Sequence, residues 1–291
     1  MSLTDSLKAL RAGHLDPSHT AAAALGEGHW HGTLLAAEDP APFVVLNPDC
    51  ERPVLLVCDH AGRAIPRSHD QLGVSDRVLD LHVAFDIGTR DLGALLAARM
   101  QATTVQATYS RLFVDNNRTL NDSTCFPPVS DGVVIPGNRD LTAEEKEARV
   151  RSTYLPYHQA IARELARLKG LGQIPALVSL HSFTPVFGSK ARPWEIGILW
   201  DKDPRIPVPL IEHLRAAGIE TGDNEPYSGK AAADFTVDHH AEEAGFAHVG
   251  IEVRQDLIST SEGVRRWGDV LFDALEAVLA NESVYSVWHG A

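Results

Sequence analysis

The run Val54-Leu55-Leu56-Val57-Cys58 constrains this chain most, because five consecutive apolar residues leave no face to give to water. A strand of that kind is buried on both sides, as in a largely parallel sheet with helices against each face. The pattern returns at Ala176-Leu177-Val178-Ser179-Leu180. Strands are expected over 53–58, 103–108, 111–115, 176–180, 195–200 and 248–254, where short β-branched or apolar stretches are mostly bounded by Gly, Pro or Asp. Helical spacing links Leu92, Leu95, Leu96 and Met100 within 88–101, and Val264, Trp267, Leu271, Leu275 and Val278 within 261–280, with a shorter amphipathic stretch over 207–217. Thr142-Ala143-Glu144-Glu145 reads as a capping box opening a helix toward Gly170, broken or kinked near Pro156. The expectation is an α/β fold: a single domain with a mixed, mostly parallel sheet and helices on both faces. Residues 1–40 read as an N-terminal arm ahead of a domain over 41–291, since an alanine run, scattered histidines and Pro40-Ala41-Pro42 interrupt any periodicity.

Composition excludes several function classes. A formal net charge of -13, with no compensating Lys/Arg block, disfavours nucleic acid and anionic membrane surfaces as partners. An anionic substrate would need local arginines, best used as a two-pronged grip on a carboxylate. No apolar run approaches the ~20 residues that span a bilayer, and Cys50, Cys58 and Cys125 fit neither a zinc ribbon nor a CxxC motif. A cytoplasmic, reducing location is expected. There is no GxSxG elbow, P-loop, GxGxxG after a strand, or HExxH.

Both apolar runs end on histidine: Cys58-Asp59-His60-Ala61-Gly62 and Leu180-His181-Ser182. The carboxyl ends of parallel strands line the crevice of an open α/β sheet, so two imidazoles far apart in sequence can face one cleft. Two histidines and a carboxylate suit zinc and leave a coordination position open. Asp59 directly precedes His60, so extended backbone turns its side chain the other way and makes it a supporting group. Asp86, in Val83-Ala84-Phe85-Asp86-Ile87-Gly88, is the candidate carboxylate ligand; it reads equally well as a helix N-cap, and His82 competes with it. His29-Trp30-His31 could bind metal adventitiously.

Glu252 lies within the apolar strand Val249-Gly250-Ile251-Glu252-Val253, where a carboxylate is costly unless it has a cation, a metal or a catalytic task. As a general base it would take a proton from attacking water and hand it to a departing nitrogen. A structural ion pair with an arginine is the plainer alternative. Candidates for holding an anion are Arg111, Asn117 and Arg118 in Tyr109-Ser110-Arg111-Leu112-Phe113-Val114-Asp115-Asn116-Asn117-Arg118, then Arg139, Arg192 and Arg254.

These segments together resemble the N-formylglutamate amidohydrolase (deformylase) family. The likeness extends from Pro42 to about Leu279 through CDHAGRAIP, HVAFDIG, YSRLFVDNNR, SDGVVIPGN, LPYHQAIA, SLHSFTP, RPWEIGILW, GDNEPYSG and IEVRQDLI. It implies a zinc-carboxypeptidase-like (phosphorylase/hydrolase-like) fold and hydrolysis of an N-formyl or other small N-acyl amide of an acidic amino acid, N-formyl-L-glutamate first. The partner would then be a small anionic N-acyl amino acid. By the same resemblance His60 and His181 match the histidine ligands of one Zn2+, Asn117-Arg118 the pair holding the α-carboxylate, and Glu252 the base. Arg111 would steady the oxyanion, and Arg139, Arg192 or Arg254 would read the side-chain carboxylate. Carboxypeptidases place a ligand glutamate three residues after the first histidine; this chain has Arg63 there, so another segment has to supply the carboxylate, and Asp86 is the inferred source, with His82 still its competitor. Mn, Fe or Co would also suit mixed N/O ligands. Carboxypeptidase-like cleavage of a small peptide or cell-wall fragment, and binding of an amino-acid derivative without turnover, are the rival readings.

Overall fold

The computed structural model of the protein describes residues 34–230 and 235–290. The expectation for His29-Trp30-His31, and most of the arm, lie outside the described residues. Along the chain run strands β1 (Phe43–Leu46), β2 (Val54–Cys58) and β3 (Thr103–Ala107), the hairpin of β4 (Val129–Ser130) and β5 (Val133–Val134), β6 (Ala176–Phe183), the hairpin of β7 (Val186–Phe187) and β8 (Lys190–Ala191), β9 (Ile196–Leu199), β10 (Thr221–Asp223) and β11 (His248–Arg254). The helices are α1 (Asp76–Leu79), α2 (Thr89–Met100), α3 (Ala143–Arg149), α4 (Leu155–Gly170), α5 (Pro207–Ala216), α6 (Thr236–His240) and α7 (Ser261–Leu279). None is long and apolar enough to cross a membrane.

One seven-stranded sheet in the order β1-β3-β2-β6-β11-β9-β10 forms the single α/β domain. β3, β2, β6 and β11 run parallel, β1 is antiparallel to β3, and β9 is antiparallel to β11 but parallel to β10. Every residue of β2 and β6 is buried, as their unbroken apolar runs require. Val54, Leu56 and Cys58 of β2 join Leu92 and Leu96 of α2, Leu210 and Leu214 of α5 and Trp267 and Leu271 of α7 in one core. Leu55 and Val57 turn to the opposite face and meet Tyr157, Ala160, Ile161 and Leu165 of α4. Burying each such side chain contributes on the order of 1.5–3 kcal/mol, so the sheet is fixed from both sides.

One expectation is corrected and one given its form. The 111–115 stretch is not a strand: Phe113 N–H donates to Ser110 O and Arg118 N–H to Asp115 O, the geometry of successive turns. Its apolar trio Leu112, Phe113 and Val114 instead anchors the loop in a separate core with Leu72, Ile135, Val150 and Tyr154. The helix expected from Thr142 does open on a reciprocal capping box between Thr142 and Glu145. Its regular winding is interrupted just ahead of Pro156: a π-turn at Val150–Tyr154 separates α3 from α4, next to the proline that has no N–H to donate.

Candidate metal centre

Strand alternation decides which side chains meet. On the α4/α6 face of the sheet, β6 presents Ser179 and His181 and β11 presents Gly250 and Glu252, and the parallel register sets Glu252 directly opposite His181. His60 lies two residues beyond the end of β2 and is 2% exposed, and its carbonyl accepts the Asp86 N–H at 2.9 Å. That bond draws the 84–88 turn over the strand ends and brings in Asp86, itself buried. Asp86 is not the helix cap: Gly88, at φ 82°, is the N-cap of α2, and its missing Cβ leaves room for Ile258 O.

One carboxylate oxygen gathers both imidazoles. Asp86 Oδ2 lies 2.9 Å from His181 Nδ1 and 3.4 Å from His60 Nδ1. One ligand atom from each of His60, Asp86 and His181 falls within 4.8 Å of the others, and all three residues are buried, so the group could hold a metal ion. His82, the competing ligand, turns away and pairs through Nε2 with Asp131 at 2.9 Å near the surface.

The far nitrogens explain why the Nδ1 atoms face inward. His60 Nε2 bonds Asp115 Oδ1 at 2.7 Å, and His181 Nε2 bonds Asp59 Oδ2 at 3.1 Å. A neutral imidazole that gives its Nε2–H to a carboxylate keeps the Nδ1 lone pair for a metal, and the carboxylate raises its basicity. Asp59 is in turn held by Thr236 Oγ1–H at 2.7 Å. Asp115 accepts Asn117 N–H at 2.9 Å on the oxygen it shares with His60, and Arg111 Nε and Nη2 at 3.1 and 2.9 Å on the other.

Charge and an orphaned atom both fit a cation. Burial works against ionised carboxyls, yet the two histidines, with Arg111 at Asp115, hold Asp59, Asp86 and Asp115 below the usual carboxylate range. Burial likewise opposes charge on His60 and His181. Asp115 and Asp86 nonetheless lift His60 above its ordinary value, and hydrogen bonds to Asp59 and Asp86 lift His181 well above it. This is a pocket of excess negative charge that draws in protons. His60 Nδ1 has no hydrogen-bond partner although buried, an omission worth on the order of 1–3 kcal/mol unless something is coordinated there. Two nitrogens and one oxygen are the donor set of an open zinc site.

The other candidates divide. Arg111 reaches Asp86 Oδ1 at 3.5 Å besides gripping Asp115, and so stands beside the metal group. Asn117 lines the same cavity as His181 and Glu252; its Oδ1 accepts the Phe235 and Thr236 N–H groups at the start of α6. Arg118 follows it and donates through Nη1 to Asn117 O at 2.9 Å. Arg139 is exposed after a 3-10 turn at Pro136–Asn138. Arg254 donates to Asp256 and to the carbonyls of Arg192, Pro193 and Trp194, which ties β11 to the segment leading into β9. Arg192 packs against aromatic rings near the end of β6.

Sequence reasoning passed over Asp115. Its one signal was the polar trio Asp115-Asn116-Asn117 directly after three buried apolar residues, a place where polar groups need partners. Thr236 gave no signal of its own, and Tyr227 only its place within the segment GDNEPYSG.

A sequence model described as N-formylglutamate amidohydrolase matches residues 52–259. The N-formylglutamate deformylase of Pseudomonas aeruginosa is 33% identical over 96 residues, a stretch that is 30% of this chain and 36% of that protein. The match thus spans little more than a third of that relative's length. Among solved structures, the gene product Atu2144 from Agrobacterium tumefaciens superposes with a TM-score of 0.82 at 32% identity, covering 85% of this chain and 98% of that one. The N-formylglutamate amidohydrolase from Ralstonia eutropha JMP134 superposes with a TM-score of 0.64 at 19% identity, covering 82% and 98%, a likeness of fold.

Proposed function

The chain belongs to the N-formylglutamate amidohydrolase family, and from that premise we propose that it hydrolyses the formamide of N-formyl-L-glutamate, or a closely related small N-acyl acidic amino acid, to formate and the free amino acid. The observation that carries this reading is the convergence of His60 Nδ1, His181 Nδ1 and Asp86 Oδ2, with Glu252 beside His181 on the adjoining strand. A divalent ion held by His60, Asp86 and His181, zinc first, would act as a Lewis acid on the formyl carbonyl and acidify a water molecule.

The chain's own residues supply the rest. Glu252 takes a proton from the attacking water and delivers it to the amide nitrogen as the C–N bond breaks, so that water's oxygen leaves in formate and the nitrogen leaves as an amine. Arg111, held in place by Asp115, presents its guanidinium to the oxygen on which negative charge builds. Asn117 and Arg118 take the α-carboxylate, Asn117 having its amide plane fixed by α6. Residues 41–291 serve as the catalytic domain. Arg139 and Arg254 have no part in this assignment, the first because it stands on the surface and the second because its donors hold backbone.

The test is formate release by zinc-reconstituted protein from N-formyl-L-glutamate, beside N-acetyl-L-glutamate and short glutamyl peptides. Release of formate as the preferred reaction is expected. Cleavage of the peptides alone would favour the carboxypeptidase-like alternative, and turnover of none of them would favour a binding protein.

A further inference from the structure

Arg192 differs from Arg111 and Arg254 in having no acidic partner among the described residues. Arg111 is bound to Asp115 and Arg254 to Asp256. All of the side-chain hydrogen bonds of Arg192 come from one nitrogen: Nη1 donates to Tyr227 Oη at 3.1 Å, Thr184 Oγ1 at 3.2 Å and Thr184 O at 3.4 Å. Its guanidinium carbon sits 5.7, 4.9 and 4.8 Å from the ring centres of Phe183, Phe187 and Tyr227. Three rings around a planar cation fix its plane, and Nε with Nη2 remain to meet an anion as a fork.

Two of the three supports, Phe183 and Tyr227, are tied to the sheet beside the candidate metal centre. Phe183 ends β6, two residues beyond His181. The Tyr227 loop lies close on the sheet, since a Cβ on Gly197 or Gly222 would stand 2.1 or 2.6 Å from Glu225 O. Asn224 fastens the same loop: its N–H donates to Ile198 O, and its Oδ1 accepts from Trp200 and Gly229. Gly229 shares a cavity with Asn117, His181 and Glu252. Burial, then the charge of Glu252, keep the Tyr227 phenol protonated, while Arg192 and Arg111 pull the other way, so its hydroxyl stands within the field of that centre.

We propose that Arg192, steadied by Tyr227 and the Phe183/Phe187 rings, is the residue that recognises the side-chain carboxylate of the substrate. The inference rests on the N-acyl amino acid reading above. It accounts for how a chain of net charge -13 takes up a dianion: the cation that meets the second carboxylate is not neutralised as Arg111 and Arg254 are, nor out on the surface as Arg139 is. Tyr227 positions the guanidinium, and its hydroxyl accepts the hydrogen bond that holds the fork in plane.

The experiment compares N-formyl-L-glutamate with N-formyl-L-norvaline, which lacks the distal carboxylate, in the wild type, Arg192→Lys and Tyr227→Phe. It adds calorimetric titration of L-glutamate and L-norvaline into each zinc-loaded protein. Wild type is expected to favour the glutamyl compound in both assays. Arg192→Lys is expected to cut the ratio of the two kcat/KM values at least tenfold, through KM for the glutamyl substrate. Tyr227→Phe, which keeps the ring, should cut it less. A preference for glutamate retained in Arg192→Lys, or absent in wild type, would overturn the assignment. Failure of the wild type to hydrolyse either formyl compound would instead strike the amidohydrolase reading, and the titrations would still decide the role of Arg192.

Discussion

Single side chains bear most of the chemistry, and two conservative replacements separate their tasks. Asp115→Asn keeps the shape of the residue but removes the charge that His60 Nε2–H and Arg111 both meet. Its zinc affinity is expected to fall by about 10–100-fold, measured by competition with a chelator; unchanged affinity would remove Asp115 from the support of the centre. Glu252→Gln should bind zinc as the wild type does and lose about 100-fold or more in kcat; wild-type turnover would take Glu252 out of the mechanism. His60, His181 and Glu252 were legible in the sequence because each is an ionisable residue in or at the end of an apolar run, where burial demands a purpose. Asp115 was not, since its bond to His60 joins positions 55 apart in the chain and no local pattern records such a meeting.

Among elements, the end of β2 and the 109–118 loop hold one another. Ala64 and Tyr109 form a parallel bridge beyond the two strands, and a Cβ on Gly62 would stand 1.9 Å from Thr108 O. That contact is with backbone, which cannot swing aside. Gly62→Ala is therefore expected to lower stability by about 2 kcal/mol or more in denaturant titration and to weaken zinc binding, His60 being two residues away. A change within about 0.5 kcal/mol would show that the approach is looser than described. Helices α2, α5 and α7 were readable from spacing, and α3 from its capping box. The 111–115 stretch was misread because three apolar residues bounded by polar ones look alike whether they pair in a sheet or plug a loop into a core. The short strands β1 and β10 were missed altogether: β1 is only partly buried at the sheet's antiparallel edge, and β10 is three residues long.

At the level of the molecule, the α/β class followed from the apolar runs, but the strand order did not. β11 enters between β6 and β9, and only that insertion sets Glu252 against His181. Behind the same face lies a second, neutral pair, His158 Nδ1 with His240 Nε2 at 3.0 Å, both buried. Burial pushes His158 down to about 4 and His240 well below its ordinary 6.5. The unfolded chain takes up protons at these positions below about pH 6.5, whereas the folded chain resists, so stability falls as pH drops from 6.5 toward 4. Each histidine adds a slope of up to about 1.4 kcal/mol per pH unit. His158→Phe should show a shallower decline than wild type in thermal unfolding across that range; identical slopes would contradict the neutral pair. All of the proposed chemistry depends on one cation held between segments that the sheet brings together. The most direct test is an anomalous-scattering map collected at the zinc edge from crystals grown with zinc. A single peak within coordination distance of His60 Nδ1, His181 Nδ1 and Asp86 is the predicted result, and a zinc peak elsewhere with this cluster unbound would contradict the account.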